Sequence, residues 1–361
     1  LYWGVHNLTE RLSQDFMADH LGGVPEDWEM NEDFGTPGTR WNQMTSIDAS
    51  TDPGYQQVQD YLDVDNFCDY MLLHFYGDAE DWPGHNGYAA VNAVTGDGKY
   101  RFFVWDQEIA LDKHGLASSR IDSTAGPGSL FQNLRANPDF RLRFADRVYK
   151  HCFHDGMLTP DRVRQVHHFR AEQIRTSIIA ETARWQGGAA SAPWDRDGEW
   201  QAELDRMGRY FRIRTRTLLG QFRNQSNWYP VEAPEFDQRG GFVAAGYRPV
   251  LSAPTGTIYY TTDGSDPRQP GGAISPEAVA YTPGSLVINA PTVVRMRVRS
   301  GSTWSALNEA GFALIGTQLA ATANSTVSEI HYHPQDLESF EFIEFKNTSA
   351  AAVDFTGVTL S

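Results

Sequence analysis

The chain has 361 residues, 40% of them apolar and 21% charged, with a net charge of −16. That composition builds packed cores, at a length that allows two or three domains. It excludes a general nucleic-acid binder by charge, a disulfide scaffold or cysteine-rich zinc site by its two cysteines, and a membrane-spanning helix by the lack of a long apolar run.

In chain order, Leu1-Tyr2-Trp3-Gly4-Val5-His6-Asn7-Leu8 reads as a strand, and any targeting signal is expected to lie upstream of it. Asp63 or Asp65 caps a helix through Asn66-Phe67-Cys68-Asp69-Tyr70-Met71-Leu72-Leu73-His74-Phe75-Tyr76, and Gly77 supplies its stop. Two aromatic-rich strands, 88–94 and 100–105, are joined by Gly96-Asp97-Gly98, which is hairpin chemistry. Asn137-Pro138 opens a helix with Phe140, Phe144 and Val148 on one face and Gly156 beyond its end. Thr159-Pro160 opens another, striped by Val163, Val166, Ile174 and Ile178. A further helix, from Trp200 to Phe222, is rich in arginine. After Trp228-Tyr229-Pro230 helical periodicity stops. Strands at 257–262, 285–288 and 292–299 alternate with Gly/Pro/Asp turns, which describes a small β-sandwich to about residue 313. A third unit begins near Val327, with Phe340-Glu341-Phe342-Ile343-Glu344-Phe345 alternating at period two. The chain stops inside a strand pattern and is expected to be a piece of a longer protein. The expected fold class is α+β over 1–228, followed by all-β Ig-like modules over 229–313 and 314–361.

The charge is uneven. Residues 1–128 hold 22 acidic and 6 basic side chains, 129–228 hold 11 and 17, and 229–361 hold 13 and 7. Carboxylates at the density of the first third repel unless solvent or cations screen them. They form either a solubilising surface or, in part, a divalent-metal site. The segment from Gly77 to Glu108 is the place to look. Asp81-Trp82-Pro83-Gly84-His85-Asn86 sets an Asn five positions after an Asp, in a loop straight after an apolar helix. That is the spacing of a kinase catalytic loop, where the Asp receives or orients the acceptor hydroxyl proton and the Asn holds metal. Counted from Asp97 at the hairpin tip, Asn86 lies eleven residues before and Asp106 nine after, so pairing brings both to one end. Asn86 and Asp106 are then placed to share one Mg²⁺, whose sparse oxygen set is completed by water and phosphates. The competing reading is an acidic Ca²⁺-binding or solvated loop.

Asn66-Phe67-Cys68-Asp69-Tyr70, Gly77-Asp78-Ala79-Glu80-Asp81-Trp82 with Asn86, and Phe102-Phe103-Val104-Trp105-Asp106 together resemble the spore-coat H (CotH) family of atypical kinases. Tyr2-Trp3-Gly4-Val5-His6-Asn7-Leu8-Thr9-Glu10-Arg11 is similar to that family's strand entering the nucleotide hinge. The resemblance covers about residues 1–228. It implies a kinase-like fold, mostly its C-lobe, binding ATP with Mg²⁺ or Mn²⁺ and phosphorylating Ser or Thr of secreted or surface proteins. By residue it implies Asp81 as the catalytic aspartate, Asn86 and Asp106 as metal and nucleotide ligands, Glu10 as a hinge contact and Glu108 as a further metal carboxylate. The chain departs from the family in carrying Gly77-Asp78 where Gly-Asn is usual. It also has no Lys before Lys99, so the phosphate-binding Lys of an upstream strand is not in this sequence. An inactive, metal-stabilised surface or adhesive protein is therefore the alternative reading.

Ile258-Tyr259-Tyr260-Thr261-Thr262-Asp263-Gly264-Ser265-Asp266-Pro267 is similar to the C-terminal sandwich behind chitobiases. Glu329-Ile330-His331-Tyr332-His333-Pro334 with Phe342-Ile343-Glu344-Phe345-Lys346-Asn347 resembles the opening of a lamin-tail domain. Both imply a bacterial extracellular or cell-surface setting, and binding (of cell-surface polysaccharide, for instance) or spacing rather than chemistry. Asp263 and Asp266 are expected to cap turns, with Ca²⁺ binding as the alternative. His331 and His333 read as surface residues of a strand, His167-His168 as a solvated face, and Cys68 and Cys152 as small core residues. The run Arg206, Arg209, Arg212, Arg214, Arg216 is expected to balance the acidic third, with recognition of phosphate or an acidic partner as the alternative. No nucleic-acid partner is expected.

Overall fold

Asp63 opens the helix on which the first half of the chain is built: its carboxylate accepts from the Asn66 N–H at 3.1 Å, the N-cap bond that an Asp before an apolar run provides. The structure, a computed structural model, describes residues 4–6, 9–34, 38–111, 115–185, 188–189, 192–225, 228, 231–315, 318–321, 324–331, 342–349 and 353–355. The chain divides into two compact units, Leu1–Pro230 and Val231–Ser361. Among the described residues no helix is long and apolar enough to cross a membrane.

The first unit runs α1 (Gln14–Leu21), β1 (Trp28–Glu32), α2 (Thr39–Thr45), α3 (Asp52–Val58), α4 (Val64–Gly77), β2 (Gly87–Asn92), β3 (Arg101–Val104), α5 (Pro127–Leu134), α6 (Pro138–Cys152), α7 (Pro160–Ile174), α8 (Ser177–Trp185), a short pair β4 (Gly188–Ala189) and β5 (Ala192–Pro193), and α9 (Gln201–Asn224). Strands β1-β2-β3 form an antiparallel sheet with Glu32 opposite Tyr88 and Gly87 opposite Val104. One face packs Trp28, Tyr88 and Ala90 against Met17 and Ala18 of α1. The other sends Ala89, Val91 and Phe102 into the helical core with Phe67, Tyr70 and Phe75. Phe75, Phe131, Phe144, Phe222 and Trp228 pack there edge-to-face or stacked, at centroid distances of 5.0–6.3 Å. Each such ring contributes roughly 2–3 kcal/mol by burial and each pair about 1 kcal/mol more.

Several sequence expectations stand corrected. Of the strand expected at 1–8, residues 1–3 and 7–8 lie outside the described residues, and 4–6 are not in a strand. α4 ends one residue later than expected. Gly77 is its last helical residue, and Asp78 takes the left-handed cap at φ 53°, a conformation that Asp and Asn tolerate better than other side chains. The helix opened by Thr159-Pro160 breaks at Arg175-Thr176, and Val166 is exposed. Its inward line is Val163, His167 and Ala171, so His167 packs edge-on against Phe211 at 5.2 Å rather than facing solvent, and burial lowers its pKa. Cys68 and Cys152 are free and buried, and burial raises both thiols, Cys152 to about 12.

The acidic third meets the basic middle across α4 and α6. Asp65 takes both Nε and Nη2 of Arg143 at 2.5 Å, and Asp69 takes Arg147 Nε at 2.7 Å and His151 at 3.1 Å. Burial pushes the Asp69 carboxyl up, but the bonds from His151 and Arg147 outweigh it and the net direction is down. The run from Arg206 to Arg216, expected to do this balancing, is not used for it. Arg214 is fully buried and donates only to carbonyls: Phe75 O at 2.5 Å, Tyr76 O at 2.9 Å, Ser118 O at 2.9 Å and Leu116 O at 3.3 Å. The last four carbonyls of a helix have no partner within it. In α4, His74 O accepts from Asp78, Phe75 O and Tyr76 O from Arg214, and Gly77 O from Leu111. The cation also sits where the helix dipole is negative.

In the second unit, β6 (Glu235–Phe236), β7 (Gly241–Val243), β8 (Leu251–Ser252), β9 (Thr257–Thr261), β10 (Val279–Ala280), β11 (Thr292–Ser300), β12 (Thr303–Trp304) and β13 (Asn308–Leu314) form two sheets. The larger has the order β10-β9-β11-β13-β7 with β12 on β11, and β6 pairs with β8. Ile258, Tyr260, Val294, Met296, Val298 and Phe312 make its core. The strand expected at 285–288 is a single bridge from Ile288 to Tyr247. Leu286 and Ile288 are both buried and so imitate strand alternation, while Ser285 bonds back to Thr282 in a turn. Asp263 caps its turn, accepting from Ser265 N at 3.0 Å. Asp266 does more: besides the Arg268 N–H it holds the buried Arg297 guanidinium at 2.7 and 2.6 Å. Farther on, β14 (Gln318–Leu319) pairs with β17 (Val353–Asp354), and β15 (Ser325–His331) with β16 (Phe342–Asn347). Residues 332–341, within the segment expected to open a lamin-tail domain, and the His331 and His333 side chains lie outside the described residues.

Replacing Arg214 by Met strands the Phe75 and Leu116 carbonyls. We expect a loss of about 3 kcal/mol or more in urea unfolding; a loss under about 1 kcal/mol would contradict the capping role.

Candidate functional site

The site grows from the end of α4. Beyond Asp78 the chain pairs with the segment after β3: Glu80 N–H donates to Ile109 O and Leu111 N–H to Gly77 O, both at 2.8 Å. The two loops that carry the acidic residues are therefore stitched side by side. Between them Trp82 is driven into the core, 1% exposed, where its Nε1 donates to the Tyr70 hydroxyl at 2.9 Å. Its ring stacks on His74 at 4.5 Å and 10°. Asp81, half-buried, precedes this anchor and closes a turn through His85 N–H to Asp81 O at 2.9 Å.

The hairpin does what its register promises. Gly87 lies opposite Val104, so Asn86 and Asp106 emerge together, and Asn86 Nδ2 donates to Asp106 O at 3.2 Å. Both residues hold left-handed backbones, φ 59° and 50°, which turn the chain sharply out of each strand. Asp106 and Glu108 are exposed. Glu108 is pushed up from the ordinary carboxylate range first by a hydrogen bond with Asp106, then by the charges of Asp106 and Asp81. Thus Asp81, Asn86, Asp106 and Glu108 are gathered at one end of the sheet. Glu10 is not. It is exposed, and its carboxylate pairs with His20 at 2.9 Å beside α1.

Sequence reasoning missed Asp33, which exchanges bonds with Gly87 (N–H to Gly87 O at 2.7 Å, Gly87 N–H to Oδ1 at 3.2 Å) and approaches His85 at 3.9 Å. Its signal was the period-two run Trp28-Glu29-Met30-Asn31-Glu32 leading into it. Asp78, the departure from Gly-Asn noted in the sequence, is 2% exposed and in ionic contact with Arg120 at 3.3 Å.

Among the described residues no three His, Cys, Asp or Glu side chains are grouped to hold a metal ion unaided. The donor set that does exist, Asp106 and Glu108 with the amide of Asn86, is all oxygen in its ligating capacity. Its carboxylates lie together, Glu108 raised first by its hydrogen bond with Asp106 and then by nearby negative charge, and a cation relieves that like charge. Such a sparse set fits an ion that takes most of its ligands from water and phosphate.

His74 is fully buried, neither ring nitrogen has a partner among the described residues, and burial lowers its pKa to about 3. The unfolded ring binds a proton below about 6.5 while the folded ring does not until about 3. Stability is therefore lost as pH falls through that window, at about 1.4 kcal/mol per pH unit. His74→Phe keeps the stack on Trp82 and should remove this slope: urea midpoints of variant and parent should diverge from pH 7 to pH 4 in the variant's favour. A constant difference would contradict a neutral buried ring.

Residues 40–218 match the family model described as CotH kinase protein. Residues 250–305 match that described as Fn3 associated. No curated protein matches the chain. The chain is thus similar to the CotH kinase family over residues 40–218 and to the Fn3-associated family over 250–305.

Proposed function

We propose that the CotH-like domain is an atypical protein kinase that moves the γ-phosphate of ATP to Ser or Thr hydroxyls of secreted or surface proteins. The observation that carries the reading is the meeting of Asn86 with Asp106 at the mouth of the hairpin, in the loop pair that also holds Asp81. Phosphoryl transfer asks a protein chiefly to position two reactants and stabilise charge. Asp81, fixed by the buried Trp82 beside it, orients the acceptor hydroxyl and receives its proton. The hydroxyl oxygen bonds to the γ-phosphorus while the bond to the bridging oxygen of ADP breaks. Asn86 and Asp106 would hold Mg²⁺ or Mn²⁺, with Glu108 beside them. That ion, when bound, offsets negative charge on the triphosphate. Glu10 enters this reading only as the partner of His20.

The setting we propose is a bacterial cell surface, with the β unit spacing the domain from, or holding it to, surface polysaccharide. Support for that setting comes from the sequence resemblances alone.

Asp81→Ala and Asp106→Ala should each lower phosphate transfer from labelled ATP by about 10²-fold or more, with far-ultraviolet circular dichroism unchanged. Transfer at the parent rate by either folded variant would refute the assignment.

A further inference from the structure

The arginine run of α9 separates into two populations. Arg214 points inward to the carbonyls of α4, and Arg206 donates to Leu111 O and pairs with Glu203. Arg209, Arg212, Arg216 and Arg223 are all exposed. At 100° per residue the four fall within about 60° of one another, opposite the buried line of Tyr210, Phe211, Arg214 and Leu218. Among the described residues none of the four has a carboxylate, carbonyl or aromatic partner.

That is selective, not general. Each of the other twelve arginines between residues 129 and 228 has one. Arg135, Arg143, Arg147, Arg164, Arg175 and Arg196 face carboxylates. Arg141 and Arg214 hold carbonyls, Arg162 and Arg170 glutamines, Arg184 the Trp185 ring, and Arg206 Glu203. An acidic chain of net charge −16 thus leaves a line of four guanidinium groups unsatisfied on one helix face. Guanidinium forks are suited to bidentate carboxylate contacts.

We propose that this face of α9 docks an extended acidic segment of a partner polypeptide. Charge complementarity selects the occupant. The stripe runs about 21 Å along the helix, 14 residues at about 1.5 Å each. An extended strand presents same-side carboxylates about every 7 Å, so six or seven residues cover it. A nucleic-acid strand carries a phosphate about every 3.4 Å, twice that density, and the acidic remainder of this chain repels any polyanion that extends past the stripe. The stripe also holds no aromatic ring on which a base could stack. A second copy of the chain brings a further −16 to the encounter. Asp205, which lies on the same face one turn before Arg209, accepts from Gln201 at 3.1 Å and marks the acidic end of the stripe.

The test is fluorescence anisotropy of a labelled hepta-glutamate peptide against the 361-residue chain, at low salt and at about 0.15 M ionic strength. The result expected is binding that weakens with salt and falls at least tenfold in the exposed pair Arg212→Gln/Arg216→Gln. Arg162→Gln and Arg170→Gln, whose parents are already partnered, should bind as the parent does. Equal binding by the Arg212/Arg216 pair and the parent, no binding by the parent, or equal losses in the α7 controls would each overturn the proposal. So would tighter binding of an inorganic polyphosphate of equal charge, lost in the same pair, since the occupant would then not be a polypeptide. None of these readings uses ATP, so they stand or fall apart from the kinase assignment.

Discussion

The C-terminus of α4 is the constraint on which the rest of the first unit depends. A helix that ends inside a core leaves carbonyls that water cannot reach, and an unsatisfied buried carbonyl costs about 1–3 kcal/mol. Here the solution comes from far along the chain, since Arg214 and Tyr210 of α9 reach Tyr76 O across more than 130 residues. The same guanidinium holds Leu116 O and Ser118 O, and Gln221 joins it at Ala117 O and Ser118 O. One buried cation therefore fixes both the helix that delivers Asp81 and the segment that follows Asp106. Charge inside a protein is costly unless its bonds are complete, and these bonds also set the acidic loops where they stand.

The acidic loops themselves are held by what they do not expose. Trp82 is buried between Tyr70, His74 and Phe75, so the half-buried Asp81 beside it has little freedom. Asn86 and Asp106 occupy backbone conformations that non-glycine residues rarely take. Like charges then meet at Asp106 and Glu108. A cation would relieve that like charge, which is why the kinase reading we propose is tied to these residues in particular.

Much of this was legible in the sequence. Asp63 before Asn66-Phe67, Asn137-Pro138, and the hairpin around Gly96-Asp97-Gly98 carry local signals whose physics is local, and each element appears where expected. The meeting of Asn86 and Asp106 followed from register alone. What failed was what depends on distant partners. The arginines from 206 to 216 look alike in sequence, and only the phase of α9 against α4 separates the buried Arg214 from the exposed Arg212 and Arg216. Val166 was misplaced because it sits about 100° from His167, and within α7 it is His167 that takes the inward position with Val163 and Ala171. Asp33 was passed over because β1 is short and polar on one face, and only its pairing with β2 brings it to Gly87.

The central claim is that Asn86 and Asp106 form a metal-dependent nucleotide site, and titration calorimetry of ATP into the folded chain tests it most directly. Heat of binding should appear with Mg²⁺, vanish when the ion is chelated, and vanish in Asp106→Ala. Binding of equal strength without the ion or in that variant, or no binding by the folded parent, would contradict the account.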